Sequence, residues 1–148
     1  KTFGIDAVVV VLDCDDRDCR AFLAELEAVH RRFNPAQPTL FRLAIEEMEA
    51  WFLGDRRALL QAYPRARKKI LSHYVQDSTC GTWELLADAL HPGGSAEVRR
   101  AGWPLPGQLK REWAERIGPA MDVETNASPS FIKFRDGLRG LVSRASRR

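Results

Sequence analysis

Four aspartates stand close together where a long apolar run ends. Residues 7–12 contain four consecutive valines and a leucine, and Asp13, Asp15, Asp16 and Asp18 follow at once. An unbroken β-branched run is typical of a strand that is covered on both faces, as in a parallel sheet. The acids are therefore expected at the carboxyl end of a buried strand, which is the edge where α/β folds place their ligand sites.

The spacing of these acids indicates a site for a divalent cation. In an extended segment alternate side chains lie on the same side, so Asp13 and Asp15 are expected to point together. Their charges repel each other, and Mg²⁺ or Mn²⁺ removes the repulsion because these ions prefer carboxylate oxygens. We predict Asp13, Asp15 and Asp16 as metal ligands. The alternative is that Asp15, Asp16 and Asp18 only turn the chain and cap the next helix, since aspartate is favoured at both positions.

One helix and a second strand are predicted to position a further group of acids. Residues 18–33 have the apolar spacing of an amphipathic helix, which Asn34 and Pro35 end. Residues 39–45 have the length and composition of a strand. Such a βαβ unit is right-handed and brings the carboxyl ends of both strands to the same edge of the sheet. Acids that follow the second strand should therefore lie beside the first group.

Glu46, Glu47 and Glu49 follow that second strand directly. If a helix begins near Glu46, then Glu46 and Glu49 share one face and Glu47 is turned away by about 100°. Glutamates in a first turn also favour the helix dipole, which accounts for Glu46 and Glu47 without any chemistry. Glu49 lies further in, among apolar residues. We predict Glu49 as a metal ligand and Glu47 as a group that completes a second ion position or orients a water.

The rest of the chain is predicted to be mainly helical. Asp55 is expected to cap a helix over residues 56–63, which stops at Pro64. Residues 92–107 are rich in Pro and Gly, and we predict an irregular surface loop there that contains one helical turn. Further helices are predicted at residues 82–90, at 108–121 with Lys110 toward water, and from Ser128-Pro129 onward.

Composition limits the class of protein. The chain has 148 residues, which suffices for one domain with a hydrophobic core. No apolar run approaches the ~20 residues of a membrane helix. Cys14, Cys19 and Cys80 cannot all pair and match no zinc spacing, so we expect a reducing cytoplasmic location. The sequence has no Walker loop and no dinucleotide-binding, serine-hydrolase or zinc-protease motif, which argues against those classes.

Basic residues gather away from the acids. Arg65, Arg67, Lys68 and Lys69 form the 65–69 basic cluster, although the net charge of the chain is only +3. This asymmetry suits a protein that holds cations at one place and contacts phosphates nearby. We therefore predict these four residues as nucleic-acid contacts. The alternative is an ordinary solvated face.

Three segments, taken together, resemble the bacterial domain-of-unknown-function family 4276, which is described as Toprim-like. They are LDCDDRD at residues 12–18, IEEMEAWFLGD at residues 45–55 and KREWAERIGPAMDVETNASPSF at residues 110–131. The resemblance implies a Toprim-type α/β fold related to the nuclease domains of OLD-type defence proteins. We expect one domain over residues 1–148, with an acidic α/β core at 1–63, made of a small parallel sheet flanked by helices, and a helical extension at 64–148.

The resemblance also implies an activity. In Toprim domains an Asp-x-Asp pair and a Glu at the end of an earlier strand bind Mg²⁺. By position, Asp13 and Asp15 match the pair, and Glu47 and Glu49 match the acidic pair that the family carries before its Trp. The earlier Glu has no counterpart, so a strand that carries it is expected upstream of Lys1. These four acids are the expected catalytic residues.

The expected function is Mg²⁺- or Mn²⁺-dependent cleavage of nucleic acid, most simply DNA, in bacterial defence or genome maintenance. The cation would clamp the phosphate that is cut and lower the pKa of a bound water. The alternative is a non-catalytic Toprim-like module that binds a partner ATPase of the AAA or ABC type. The absence of the earlier Glu favours this alternative.

Overall fold

The computed structural model describes residues 7–78 and 81–145. In chain order its elements are β1 (Val8–Asp13), α1 (Cys19–Phe33), β2 (Thr39–Ala44), α2 (Glu49–Leu53), α3 (Arg56–Ala62), α4 (Lys68–Ser72), α5 (Thr82–Leu90), α6 (Gly94–Ala101), α7 (Leu105–Ile117), a 3₁₀ turn (Gly118–Ala120) and α8 (Pro129–Ala145). The fold is α/β, with a small parallel sheet flanked by helices and a helical C-terminal half. None of the helices in this part of the chain is long and apolar enough to span a membrane.

β1, α1 and β2 form the predicted βαβ unit. The strands are parallel, and their register runs from Val8 opposite Thr39 to Asp13 opposite Ala44. The Asp18 carboxylate caps the start of α1, which confirms the structural role considered for this residue. Both strands end at the same edge of the sheet, so the two acidic segments leave the sheet side by side.

β1 is less buried than its sequence predicts. Val8 and Val9 are 38% and 39% exposed, and the remaining side chains of the strand are half-buried. In the part of the chain that the structure describes, β1 pairs with β2 alone, while α1 and α8 pack against β2. The apolar run therefore marks a strand, but the expectation that both of its faces are covered is wrong.

The main hydrophobic core lies among the helices. Its largest fully buried side chains, from α3, α5, α6 and α7, are Leu59, Leu86, Val98, Trp113 and Ile117. Burying a side chain of this size contributes about 1.5–3 kcal/mol to stability. A smaller cluster of Ala44, Trp51 and Phe131 joins β2, α2 and α8 beside the sheet. The helical half is thus the main source of hydrophobic stability, and it supports the sheet edge from one side.

The end of α2 is fixed to the start of α8 by what we call the α2–α8 junction. The Asn126 side chain donates to the Trp51 carbonyl at 2.8 Å and accepts from the Ser128 N–H at 2.9 Å. The Trp51 indole N–H donates to the Ser130 hydroxyl at 2.9 Å. Gly54 passes so close that an added Cβ would overlap the Asn126 amide oxygen. These contacts join two of the segments on which the family resemblance rests.

Two predicted helix starts are confirmed by their caps. The Ser128 hydroxyl accepts a hydrogen bond from the Phe131 N–H at 3.2 Å, which begins α8 at the expected Ser-Pro pair. The Asp55 carboxylate accepts from the Ala58 N–H at 2.9 Å and so caps α3. Its second oxygen accepts from the Asp122 N–H at 2.8 Å. Asp55 is therefore a structural residue that also ties α3 to the chain before α8.

Two other predictions are wrong. α2 begins at Glu49 rather than at Glu46, because Glu46 has a left-handed φ of 56° and forms an antiparallel bridge with Asp15. Glu46 and Glu49 therefore do not share a helix face. Residues 92–107 were expected to form an irregular surface loop with one helical turn, but Gly94–Ala101 is a helix of eight residues whose Val98 is fully buried. The glycines of this region bound the helix instead of preventing it.

Candidate functional site

The carboxyl ends of the two strands bring Asp13 and Glu49 to the same edge of the sheet. Asp13 is the last residue of β1, and its Oδ1 accepts a hydrogen bond from the Met48 N–H at 2.9 Å. This bond fixes Asp13 beside the residue that precedes Glu49. Glu49 opens α2, and its side chain is only 7% exposed. The structure thus places together two acids that were predicted from separate segments.

Burial raises the pKa of both carboxyl groups. For Glu49 the loss of solvent is the largest cause, the Lys110 ammonium opposes it, and the charges of Glu47 and Asp13 add to it. For Asp13 burial is again the largest cause, while the Met48 N–H and Lys110 lower the pKa. Each group is therefore harder to ionise than an exposed acid, and a nearby cation would offset that cost.

Lys110 completes the site, although we predicted that it faces water. Its Nζ lies 2.7 Å from Glu47 Oε1 and 3.5 Å from Glu49 Oε2, and its side chain is 33% exposed. Partial burial lowers the pKa of Lys110, but the hydrogen bond to Glu47 and the charge of Glu49 outweigh it, so the net pKa is raised. The missed signal is helical spacing, because Lys110, Trp113 and Ile117 fall at i, i+3 and i+7 on one face.

Glu46 and Glu47 bind the start of α5. The buried Glu46 carboxylate accepts from the backbone N–H of Gly81 and, at 2.8 Å, from that of Thr82. Glu47 Oε2 accepts from the Thr82 hydroxyl and the Trp83 N–H, each at 3.3 Å. The first N–H groups of a helix have no intrahelical acceptor, so two glutamates from another segment cap α5. Glu47 faces α5, rather than turning away as predicted, because α2 begins only after it.

We expect Glu46→Ala to destabilise the protein by about 2–4 kcal/mol, because it leaves two N–H groups at the start of α5 without an acceptor. This corresponds to a melting temperature lower by roughly 10 °C. Urea denaturation measures the change. The control is Glu115→Ala, which removes an exposed ion pair with Arg111 and should cost no more than about 0.5 kcal/mol. Equal losses in both variants would contradict the capping role.

Asp15 lies beside the site, Asp16 follows it in the turn after β1, and both are exposed. The backbone turns left-handed at Asp15, with a φ of 49°, so the strand alternation that paired Asp15 with Asp13 does not extend to it. The Asp15 N–H donates to the Glu46 carbonyl at 2.8 Å, which joins the two acidic segments. The charge of Asp15 also raises the pKa of Asp13. Asp15 therefore remains part of the electrostatic environment of the site.

The donor types at the site fit Mg²⁺ or Mn²⁺. Asp13 and Glu49 offer carboxylate oxygens, and among the described residues Lys110 is the one ion-pair partner of Glu49. Across residues 7–78 and 81–145, however, no group of three or more His, Cys, Asp or Glu side chains is arranged to hold a metal ion. Mg²⁺ is commonly held by one or two carboxylates together with substrate phosphates and water. The residues fit that kind of shared site and not a closed protein cage.

The 65–69 basic cluster lies at the opposite end of α5 from the acids. The Arg67 N–H donates to the Ala89 carbonyl, and its guanidinium donates to the carbonyls of Asp88 and Pro92. Arg67 therefore fastens the last turn of α5, whereas Glu46 and Glu47 bind the first. The nine residues of α5 put about 13 Å between these ends. The charged side chains of the cluster are exposed.

Cys14 and Cys19, the cysteines that the structure describes, make no side-chain hydrogen bond to the acids of the site. Cys14 and Cys19 are free thiols, and Cys80 lies outside the described residues. Burial raises the pKa of the Cys14 thiol, so it stays protonated at neutral pH. Its Sγ–H donates to the Arg17 carbonyl at 3.3 Å, which gives Cys14 a place in the turn after β1.

Comparisons of the chain with protein-family models, with curated proteins and with solved structures found no match. The resemblance to the Toprim-like family, and the activity, cofactor and partners that it implies, therefore stay predictions. The chemistry of the site rests on its own residues.

Proposed function

We propose that this protein cleaves phosphodiester bonds in nucleic acid with Mg²⁺ or Mn²⁺, at a Toprim-like site on the carboxyl edge of its sheet. The observation that carries the proposal is the meeting of two buried or half-buried carboxylates, Asp13 and Glu49, each with a raised pKa. Acids of this kind beside a specific charge partner are characteristic of functional sites. A cytoplasmic role in bacterial defence or genome maintenance is part of the same proposal.

The acidic residues of the site have separate roles in this proposal. Asp13 and Glu49 would hold the cation, and Glu47, Asp15 and Asp16 supply further carboxylates around it. A bound Mg²⁺ ion supplies Lewis acidity toward the phosphate and lowers the pKa of a bound water.

Lys110 keeps a positive charge beside these acids, and an ammonium is a strong partner for phosphate oxygens. The bonds from α5 to Glu46 and Glu47 hold the second acidic segment in place.

The test is cleavage of plasmid DNA and of labelled oligonucleotides by the purified protein. We expect cleavage with Mg²⁺ or Mn²⁺, none with EDTA, and none with the Asp13→Ala/Asp15→Ala variant. The matched control is Glu115→Ala, which removes an exposed acid paired with Arg111 on α7 and should cut as fast as the wild type. Equal cutting by the double variant would trace the activity to another source and refute the assignment.

A non-catalytic module that binds a partner ATPase is the second candidate. The observation that favours it is that the acids already have structural partners. Lys110 pairs with Glu47 and Glu49. Glu46 and Glu47 cap α5. The two candidates differ in metal binding. Calorimetric titration with Mn²⁺ should show binding that Asp13→Ala removes if the site is catalytic, and no binding to either protein if the module only carries a partner.

A further inference from the structure

A groove of about 880 Å³ lies between α1 and α8, along the edge of β2 that pairs with no strand in the described part of the chain. Leu23 of α1 and Leu40 and Leu43 of β2 form part of an apolar lining. At one end the groove is lined by Ile45, the residue directly before Glu46. The groove therefore opens beside the acidic site and follows the strand away from it.

α1 and α8 form the two sides of the groove, and they pack on opposite faces of the sheet. Phe41 of β2 packs on His30 of α1, with ring centroids 5.2 Å apart. Ala44 packs on Phe131 of α8. Residues 41 and 44 have opposite parity in a strand, so their side chains point to opposite faces. The groove therefore follows a single strand edge between two helices, a course that an extended chain can share.

The backbone edge of β2 offers hydrogen-bond donors to the groove. The carbonyls of Pro38 and Ala44 accept bonds from β1, so the even-numbered residues of this stretch face β1. By the alternation of a parallel ladder, Phe41 and Leu43 direct their N–H and C=O groups into the groove. The Phe41 carbonyl is already taken, because the Arg42 guanidinium donates to it at 2.7 Å. The Ile45 N–H is also used, since it donates to the Ser130 hydroxyl at 3.4 Å. Among the described residues, the N–H groups of Phe41 and Leu43 and the Leu43 carbonyl are therefore left for a ligand.

The uncommitted charges around the groove are all positive. No carboxylate in the described stretches pairs with Arg20, Lys133 or Arg144, which line it. The acids in the lining are committed elsewhere: Asp77 accepts bonds at the start of α8, and Asp136 pairs with the neighbouring arginine. The groove therefore combines an apolar floor with a cationic rim.

We propose that this groove holds a single strand of nucleic acid whose phosphates lead to the acidic site, an inference that rests on the proposed function. A phosphodiester backbone accepts hydrogen bonds and donates none, so it matches a groove of free N–H groups and cations. A peptide added as a strand needs acceptors as well, and it would have to displace Arg42 from the Phe41 carbonyl. A cationic groove with apolar surface for the bases is the usual single-strand platform.

The test is binding of labelled oligothymidine, followed by fluorescence anisotropy in EDTA so that no cleavage occurs. The groove variant is Arg20→Glu/Lys133→Glu, and the matched control is Arg32→Glu/Arg100→Glu, which replaces two exposed arginines outside the groove lining and changes the net charge equally. We expect the groove variant to bind at least about tenfold more weakly, with a salt dependence reduced by about 1.4 in the slope of log K against log salt. The control should bind within about twofold of the wild type.

Three results would overturn the inference. They are a wild type that does not bind oligothymidine at low salt, a control variant that loses as much affinity as the groove variant, and full competition by polyglutamate, which would assign the groove to an acidic peptide. The two proposals fail separately. If the protein cuts with metal but the groove variant binds as well as the wild type, only the groove proposal is refuted. If binding depends on the groove but the protein does not cut, only the catalytic proposal is refuted.

Discussion

Glu49→Gln is expected to reduce metal-dependent cleavage by more than about 100-fold, because groups that merely orient a metal ligand are already worth 10- to 100-fold. Glutamine keeps the length and one carbonyl oxygen of the side chain but removes the charge that holds a cation. Glu49 is the more buried of the two acids that carry the proposal, with a side chain only 7% exposed. Cleavage rates at saturating Mg²⁺ measure the loss.

The same substitution should not destabilise the fold at neutral or higher pH. Burial raises the pKa of Glu49 in the folded protein, so the folded state holds this proton more tightly than the unfolded chain. The stability contributed by the protonated form is therefore lost as pH rises through the folded pKa. A neutral glutamine escapes that loss, and Lys110 keeps Glu47 as its partner. Between about pH 5 and pH 8 the melting temperature of Glu49→Gln should rise relative to the wild type.

Thermal unfolding in EDTA at about pH 5 and about pH 8 tests the predicted stability of Glu49→Gln. Glu115→Gln is the control for an exposed glutamate. A loss of stability as large as the one expected for Glu46→Ala would make Glu49 a structural residue. Undiminished cleavage would remove Glu49 from the site.

Gly54→Ala should destabilise the protein by about 2–4 kcal/mol, because overpacking and broken buried hydrogen bonds act together. The new Cβ would overlap the Asn126 amide oxygen and lie 3.0 Å from the Ser128 nitrogen. Asn126 cannot retreat without losing its bond to the Trp51 carbonyl. Gly54 has a right-handed φ of −70°, so the clash alone causes the effect. Differential scanning calorimetry should show a melting temperature lower by roughly 10 °C.

Gly140→Ala is the matched control for this prediction. Gly140 lies within α8, and the nearest atom to an added Cβ there is the end of the flexible Arg144 side chain, at 3.4 Å. Alanine is favoured over glycine in a helix interior, so this variant should be neutral or up to about 1 kcal/mol more stable. If Gly54→Ala behaved like Gly140→Ala, the α2–α8 junction would be looser than the structure describes.

The sequence was sufficient to predict the elements that depend on local rules. The valine run and residues 39–45 indicated two strands, and the parallel pairing of a βαβ unit placed Asp13 and Glu49 at one edge. Helix caps at Asp18 and Asp55 were likewise predictable, because each side chain bonds a backbone group three residues away.

The remaining features depend on contacts between distant segments. Lys110 meets Glu47 at 63 residues' separation, and Glu46 meets Thr82 at 36. No periodicity within one segment indicates which helix end will face a strand edge. The left-handed turn at Glu46, which sets the start of α2, belongs to the same tertiary arrangement, because that residue bridges to Asp15.

The α2–α8 junction determines when the acids acquire a fixed arrangement during synthesis. The Trp51 indole N–H donates to the Ser130 hydroxyl, 79 residues later in the chain, and the Trp51 carbonyl accepts from the Asn126 side chain. A nascent chain that stops short of these residues carries every acid of the sheet edge but leaves α2 without its anchor. Interrupted translation products should therefore remain inert, so that any activity is confined to chains that the ribosome has carried past the start of α8.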